Sequence, residues 1–161
     1  MKKLLLSAIF LLSTFAANAQ TTDDMIELLK SDLKTNKKAI ITESMAFTET
    51  ESKAFWPVYN AYEIELEKLA DKRINNLKDF ADNYEMMSNE KADKIIKTAF
   101  EFQSARVKLN ESYYKKFATA ITPIRAAKYM QIEDQIQNMI DLSIGASLPF
   151  VKNPESDAVK K

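Results

Sequence analysis

The sequence feature that most constrains the fold is a helical spacing of large apolar residues. Between positions 55 and 84 they recur mostly at intervals of three or four, as Phe55, Tyr59, Tyr62, Leu66, Leu69, Leu77, Phe80 and Tyr84. This spacing places them along one face of an α-helix, and such a face has to be buried. The chain has only one glycine and four prolines, and no stretch alternates apolar with polar residues as a strand does. The sequence therefore predicts an all-α fold.

The first two predicted helices are defined by charge and capping signals. The first spans 23–41 and carries acidic residues at its start. The second begins at Thr48, which lies three residues before Glu51 in the spacing of a capping box. Pro57 falls inside this second helix, where it removes a backbone N–H and crowds the preceding turn. We therefore expect a kink or break near 55–57.

The last two predicted helices follow from similar signals. The second helix fades just before Ser88, which is the N-cap candidate of the third. Thr122 is the N-cap candidate of the fourth, and Pro123 occupies its first position. The fourth helix spans 123–144, with Gly145 as its stop. The expected architecture is helical hairpins of about four helices.

The inward faces of the last two helices are predicted from the same periodicity. In the third helix the inward positions are Ala92, Ile95, Ile96, Ala99, Gln103, Val107, Asn110, Tyr114 and Phe117. In the fourth helix they are Ile132, Ile136, Met139, Ile140 and Ser143.

The N-terminus has the three parts of a secretory signal. Two lysines precede a short apolar run at 4–15, and Ala-Asn-Ala at 17–19 forms a cleavage site after Ala19. An uncleaved membrane anchor is the alternative, but a spanning helix needs about 20 apolar residues, which is more than the run at 4–15 provides. We therefore expect an exported, periplasmic protein. The predicted organisation is a signal peptide at 1–19, a single α-helical domain at 20–151 and a disordered tail at 152–161.

Several functions are disfavoured by what the sequence lacks. It contains no cysteine and no histidine, which removes the usual thiolate nucleophile, general base and soft metal ligands. Two of the 23 basic residues lie in the signal, leaving 21 against 23 acidic ones, a balance that favours neither nucleic acid nor an anionic membrane. No second apolar run is long enough to span a bilayer, so we expect no stable membrane insertion. The acidic pairs Glu63/Glu67 and Glu133/Asp134 are weak candidates for cation binding or acid–base chemistry. We predict no enzymatic activity, no metal and no cofactor.

Two helix starts share a short pattern. Phe-Thr-Glu-Thr-Glu at 47–51 and Ile-Thr-Pro-Ile-Arg at 121–125 each place a threonine after an apolar residue. They resemble the twice-occurring Leu-Thr-x-x-Gln segment of Spy/CpxP-like periplasmic proteins, with Glu51 and Arg125 in place of the glutamine. Phe-Trp-Pro-Val-Tyr at 55–59 and Leu-Pro-Phe-Val at 148–151 are similar to an uncharacterised exported group of that family.

The resemblance implies a four-helix hairpin fold that dimerises into a curved cradle. It also implies one of two functions. The first is an ATP-independent periplasmic chaperone that binds unfolded envelope proteins. The alternative is an envelope-stress sensor that binds one dedicated membrane partner. A homodimer is expected in either case.

Six residues are candidates for protein binding. Trp and Tyr are favoured at interfaces, and Met supplies an adaptable apolar surface. Phe55, Tyr59 and Tyr62 lie on the predicted buried stripe, so a core position is the alternative for them, whereas Trp56 lies off it. For the methionines the alternative is gap filling. The six candidates are Phe55, Trp56, Tyr59, Tyr62, Met86 and Met87.

Overall fold

The computed structural model describes residues 36–151. Within them lie four helices: α1 at 36–45, α2 at Glu49–Asn83, α3 at Asn89–Ile121 and α4 at Pro123–Ser147. No strand occurs in this part of the chain, which confirms the all-α prediction. No helix within 36–151 combines the length and apolar character needed to cross a membrane. The predicted signal peptide, the tail and most of the first predicted helix lie outside the described residues.

The two longest helices form an antiparallel hairpin. With 35 and 33 residues, α2 and α3 are each about 50 Å long. Asn76 Nδ2 donates to the carbonyl of Ile95 at 3.1 Å, and near the turn Lys91 pairs with Asp79 at 2.7 Å. Ser88 caps α3 by accepting a hydrogen bond from the backbone N–H of Lys91, as predicted.

The turn from α1 to α2 also follows the predicted chemistry. Helix α1 runs to Met45, beyond the predicted end at residue 41, because Ile41 and Met45 lie one turn apart and are both fully buried. Ala46 then adopts a positive φ of 45° and ends the helix. Thr48 and Glu51 form the predicted capping box, in which each side chain accepts from the backbone N–H of the other residue.

Helix α2 is not broken at Pro57. The helix is continuous from Glu49 to Asn83 with the proline inside it, so of the expected kink or break near 55–57 the break is wrong and the kink stays a prediction. Pro57 itself is exposed, whereas Phe55 and Tyr59 on either side are fully buried in one core. Packing of these two neighbours stabilises the helix across the lost hydrogen bond.

Both ends of α4 differ from the prediction. Pro123 occupies the first turn as expected, but Thr122 makes no capping hydrogen bond because its φ of 78° and ψ of 152° turn it away from N-cap geometry. The helix continues through Gly145 to Ser147. Its end is set by Pro149, which forces the preceding Leu148 into an extended conformation.

The core of the compact unit, which begins at Ile40, lies where the start of α2, the end of α3 and the start of α4 meet. The far half of the α2–α3 hairpin buries fewer side chains, among them Met87 and Ile95. The cluster consists of Ile41, Met45, Phe55, Tyr59, Tyr62, Leu66, Tyr113, Phe117, Ile121, Ala126 and Tyr129.

The inward faces of α3 and α4 were predicted only in part. Burial confirms Ile95, Phe117 and Ile136. The prediction is wrong for other positions, because the buried face of α3 passes through Tyr113 and is rotated away from the predicted stripe. The exposed residues among those predicted inward are Ile96, Gln103, Val107, Tyr114, Met139 and Ser143.

Candidate interaction surface

Three of the six candidate binding residues lie inside the protein. Phe55, Tyr59 and Tyr62 have no exposed surface. The ring centroid of Phe55 lies 5.2 Å from that of Phe117 and 4.9 Å from that of Tyr129. In this conformation the three residues form the aromatic core that joins α2, α3 and α4.

The other three candidates do not form one surface. Trp56 is half-buried against Phe55, and its Nε1 donates to Ser52 Oγ at 3.0 Å. Met86 and Met87 lie at the α2–α3 turn, about 40 Å along α2 from Trp56, and only Met86 is exposed. The structure therefore separates the aromatic and methionine candidates.

Exposed apolar side chains form a stripe on α3 that the sequence pattern did not predict. It consists of Ile96, Phe100, Val107 and Tyr114, whose side chains are 37–63% exposed. Separations of four, seven and seven residues place all four on one face of the helix, over about 27 Å. Three were predicted to point inward and Phe100 was not considered. The sequence signal is the seven-residue spacing of Phe100, Val107 and Tyr114. Added to the residues that contact α2, it gives α3 more apolar surface than one neighbouring helix can cover.

A smaller apolar group lies on the outer face of α4. Ile124, Met139 and Leu142 are all strongly exposed, opposite the buried Ala126 and Glu133. The group is interrupted by polar residues such as Gln135, and it has three members where the α3 stripe has four.

A polar layer lies below the aromatic core. The carboxyl group of Glu133 is completely buried and accepts hydrogen bonds from the hydroxyls of Tyr62 and Tyr129, both at 3.3 Å. Gln137 donates to the same carboxyl at 3.0 Å, and Tyr62 shares its single hydroxyl proton between this carboxyl and Asn110 Oδ1, which lies closer at 2.8 Å. Burial, followed by the nearby Glu133, raises the pKa of both tyrosines above the ordinary value. The hydroxyls therefore remain neutral donors at physiological pH.

A charged cluster continues this layer toward the end of α4. Arg73 and Arg106 both donate to the carboxylate of Asp141, Arg106 at 2.9 Å. Both guanidinium groups also lie over the ring of Phe102, at 5.0 and 5.5 Å from its centroid. Burial opposes ionisation of Asp141, but the hydrogen bonds from the two arginines outweigh it and hold its pKa below the usual value.

The two members of the pair Glu133/Asp134 point in different directions. Glu133 points into the core, whereas its neighbour Asp134 is exposed and accepts a hydrogen bond from Asn138. Among residues 36–151 no group of three or more acidic side chains is placed to hold a metal ion. The absence of enzymatic activity remains a prediction from the sequence.

Comparisons of this chain with protein-family models, with curated proteins and with solved structures found no match.

Proposed function

We propose that this protein is an exported, non-enzymatic binding protein that acts as an ATP-independent periplasmic chaperone. The observation that carries the proposal is the exposed apolar stripe on α3. Exposed apolar side chains lined up on one helix face are typical of interaction sites on proteins that are otherwise polar outside. The Spy/CpxP-like resemblance supports the same function, and the predicted signal peptide supplies the compartment.

The chemistry around the stripe suits clients of varied sequence. Lys97 and Lys108 lie beside it together with Glu101 and Glu111, so both signs of charge border the apolar residues. Lys97 pairs with Asp93 one turn away at 2.6 Å, on an exposed part of the helix. An apolar strip with a mixed charged border binds exposed apolar segments without selecting a strongly charged partner.

The stripe also suits a second copy of this chain. In an antiparallel pair centred near Ser104, Lys97 lies close to Glu111 of the partner subunit, whereas a parallel pair aligns like charges. The expected homodimer therefore remains a prediction, and light scattering separates it from a monomer. In the proposed function, the partner subunit and a client compete for the same residues.

The proposed function is tested by aggregation of reduced α-lactalbumin at room temperature. This chain contains no cysteine, so the reductant leaves it unchanged. We expect the chain from Gln20 to suppress the aggregation without ATP, and Phe100→Ser combined with Val107→Ser to weaken suppression at least about threefold. The reason is that the variant removes the two most exposed apolar side chains of the stripe. Because both side chains are mostly exposed, their loss removes little buried apolar area from the folded chain.

The matched control is Ile64→Ser, which removes an equally exposed apolar side chain (55%) from α2, outside the stripe. It should suppress aggregation as well as the unmodified chain, and circular dichroism should show all variants folded. If the unmodified chain did not suppress aggregation at several-fold excess over α-lactalbumin, the proposed chaperone function would be refuted. The alternative sensor, which recognises one folded partner, predicts that negative result.

A further inference from the structure

A cleft lies between the middle of the α2–α3 hairpin and the last turns of α4. Its volume is about 290 Å³, close to the lower end of the range for small-molecule sites. Its apolar wall includes Leu77 and Phe102 from the hairpin and Ile144 and Leu148 from the end of α4. Arg73 and Asp141 line the same cleft and provide its charged side chains.

The charges at this cleft do not cancel. Asp141 carries one negative charge and accepts hydrogen bonds from two guanidinium groups, those of Arg73 and Arg106. Arg106 reaches Asp141 without lining the cleft. Arg73 lines the cleft, is largely buried, and bonds Asp141 through a single nitrogen. Arg73, Arg106 and Asp141 together therefore carry a net charge of +1 beside an apolar surface.

We infer that the cleft binds a medium-chain aliphatic carboxylate. The hydrocarbon chain packs on Leu77, Ile144 and Leu148, and the carboxylate pairs with Arg73, since a guanidinium offers several donors in one plane. This ligand needs few other polar partners, which matches the wall.

The same cleft is less suitable for a peptide than for an aliphatic carboxylate. Its amide groups would require donors and acceptors, but the side chain of Asn76 already donates to the carbonyl of Ile95 and that of Thr98 to the carbonyl of Lys94. Gln103 is the remaining uncharged polar side chain of the described lining, and it is exposed. The lining thus favours a ligand with one charged end and an apolar chain.

The inference is tested by calorimetric titration of the folded chain with decanoate, below the concentration at which it forms micelles. We expect saturable binding with one site per chain. Decanol and decyltrimethylammonium have a similar chain without the negative charge, so each should bind at least about tenfold more weakly. Binding of all three with equal affinity would show a non-specific apolar contact and would overturn the inference.

Two substitutions change the charge at the cleft in opposite directions. Arg73→Gln removes the cation and should weaken decanoate binding about tenfold, while Asp141→Asn removes the competing anion and should strengthen it several-fold. Lys68→Gln is the control, because it removes one positive charge from an exposed position of α2. If Arg73→Gln and Lys68→Gln bind decanoate equally, the site is not at Arg73. This outcome is independent of the aggregation assay, which concerns a different surface.

Discussion

Replacing Phe55 by alanine is expected to lower the free energy of unfolding by about 3–5 kcal/mol, the usual cost of removing a buried phenylalanine. Phe55 is fully buried, and its ring lies within 5.2 Å of the ring centroids of Phe117 and Tyr129. The substitution therefore opens a cavity where α2, α3 and α4 meet, and relaxation of three helices cannot close it. Urea denaturation followed by circular dichroism measures the loss.

The matched control for this prediction is Phe100→Ala on α3. The same side chain is removed, but Phe100 is 63% exposed and contributes little packing within one chain. Its effect on the free energy of unfolding should stay below about 1 kcal/mol. Equal losses in the two variants would contradict the placement of Phe55 in the core and of Phe100 on the surface.

Replacing Glu133 by alanine should cost about 3 kcal/mol for a different reason. The variant creates a small cavity and removes the acceptor used by the Tyr129 hydroxyl and the Gln137 amide. A buried donor that loses its partner costs about 1–3 kcal/mol. Two such donors are affected here, since the third donor to this carboxyl, Tyr62, keeps Asn110 Oδ1 as an acceptor. The loss is measured in the same denaturation experiment.

The variant Glu133→Gln distinguishes the loss of hydrogen bonds in the polar layer from the loss of side-chain volume. This variant keeps the size of the side chain and one carbonyl acceptor, so it should lose less than half as much stability as Glu133→Ala. Glu101→Ala, at an exposed position of α3, should change the free energy of unfolding by less than about 0.5 kcal/mol. A loss for Glu133→Ala no larger than that of Glu101→Ala would contradict the buried network.

The helix starts that depend on local chemistry were predicted well from the sequence. Thr48 with Glu51, and Ser88 at the next start, place a side-chain acceptor within reach of the first free N–H groups, and this geometry involves only neighbours in the chain. Thr122 has the same residue type, but the close approach of α3 and α4 sets its φ at 78° and removes the cap. A constraint of that kind comes from the tertiary structure and has no local signal.

The side of each helix that is buried was harder to predict. Apolar residues occupy more than half of the circumference of α3, and periodicity alone does not say which part contacts a neighbour. Val107 and Tyr114 therefore appeared equivalent to Phe117, although only Phe117 is buried. Glu133 was missed for the opposite reason, since a glutamate is usually solvated and its tyrosine partner Tyr62 lies 71 residues away in the chain.

The two halves of the described core have different roles in this account. The aromatic residues around Phe55 supply most of the stability, whereas the layer of Glu133 and Asp141 holds the second half of α4 through directional polar contacts. Neither group of residues has a side chain that covers the α3 stripe. Protein binding at that stripe can therefore occur without opening the fold.

Photo-crosslinking tests the central claim most directly. A photoreactive amino acid placed at Phe100 should crosslink reduced α-lactalbumin under the conditions in which the chain suppresses its aggregation. The same group placed at Ile64, which is exposed to a similar extent on α2, should crosslink it several-fold less. Equal crosslinking at the two positions, or none at Phe100 while suppression persists, would contradict client binding at the α3 stripe.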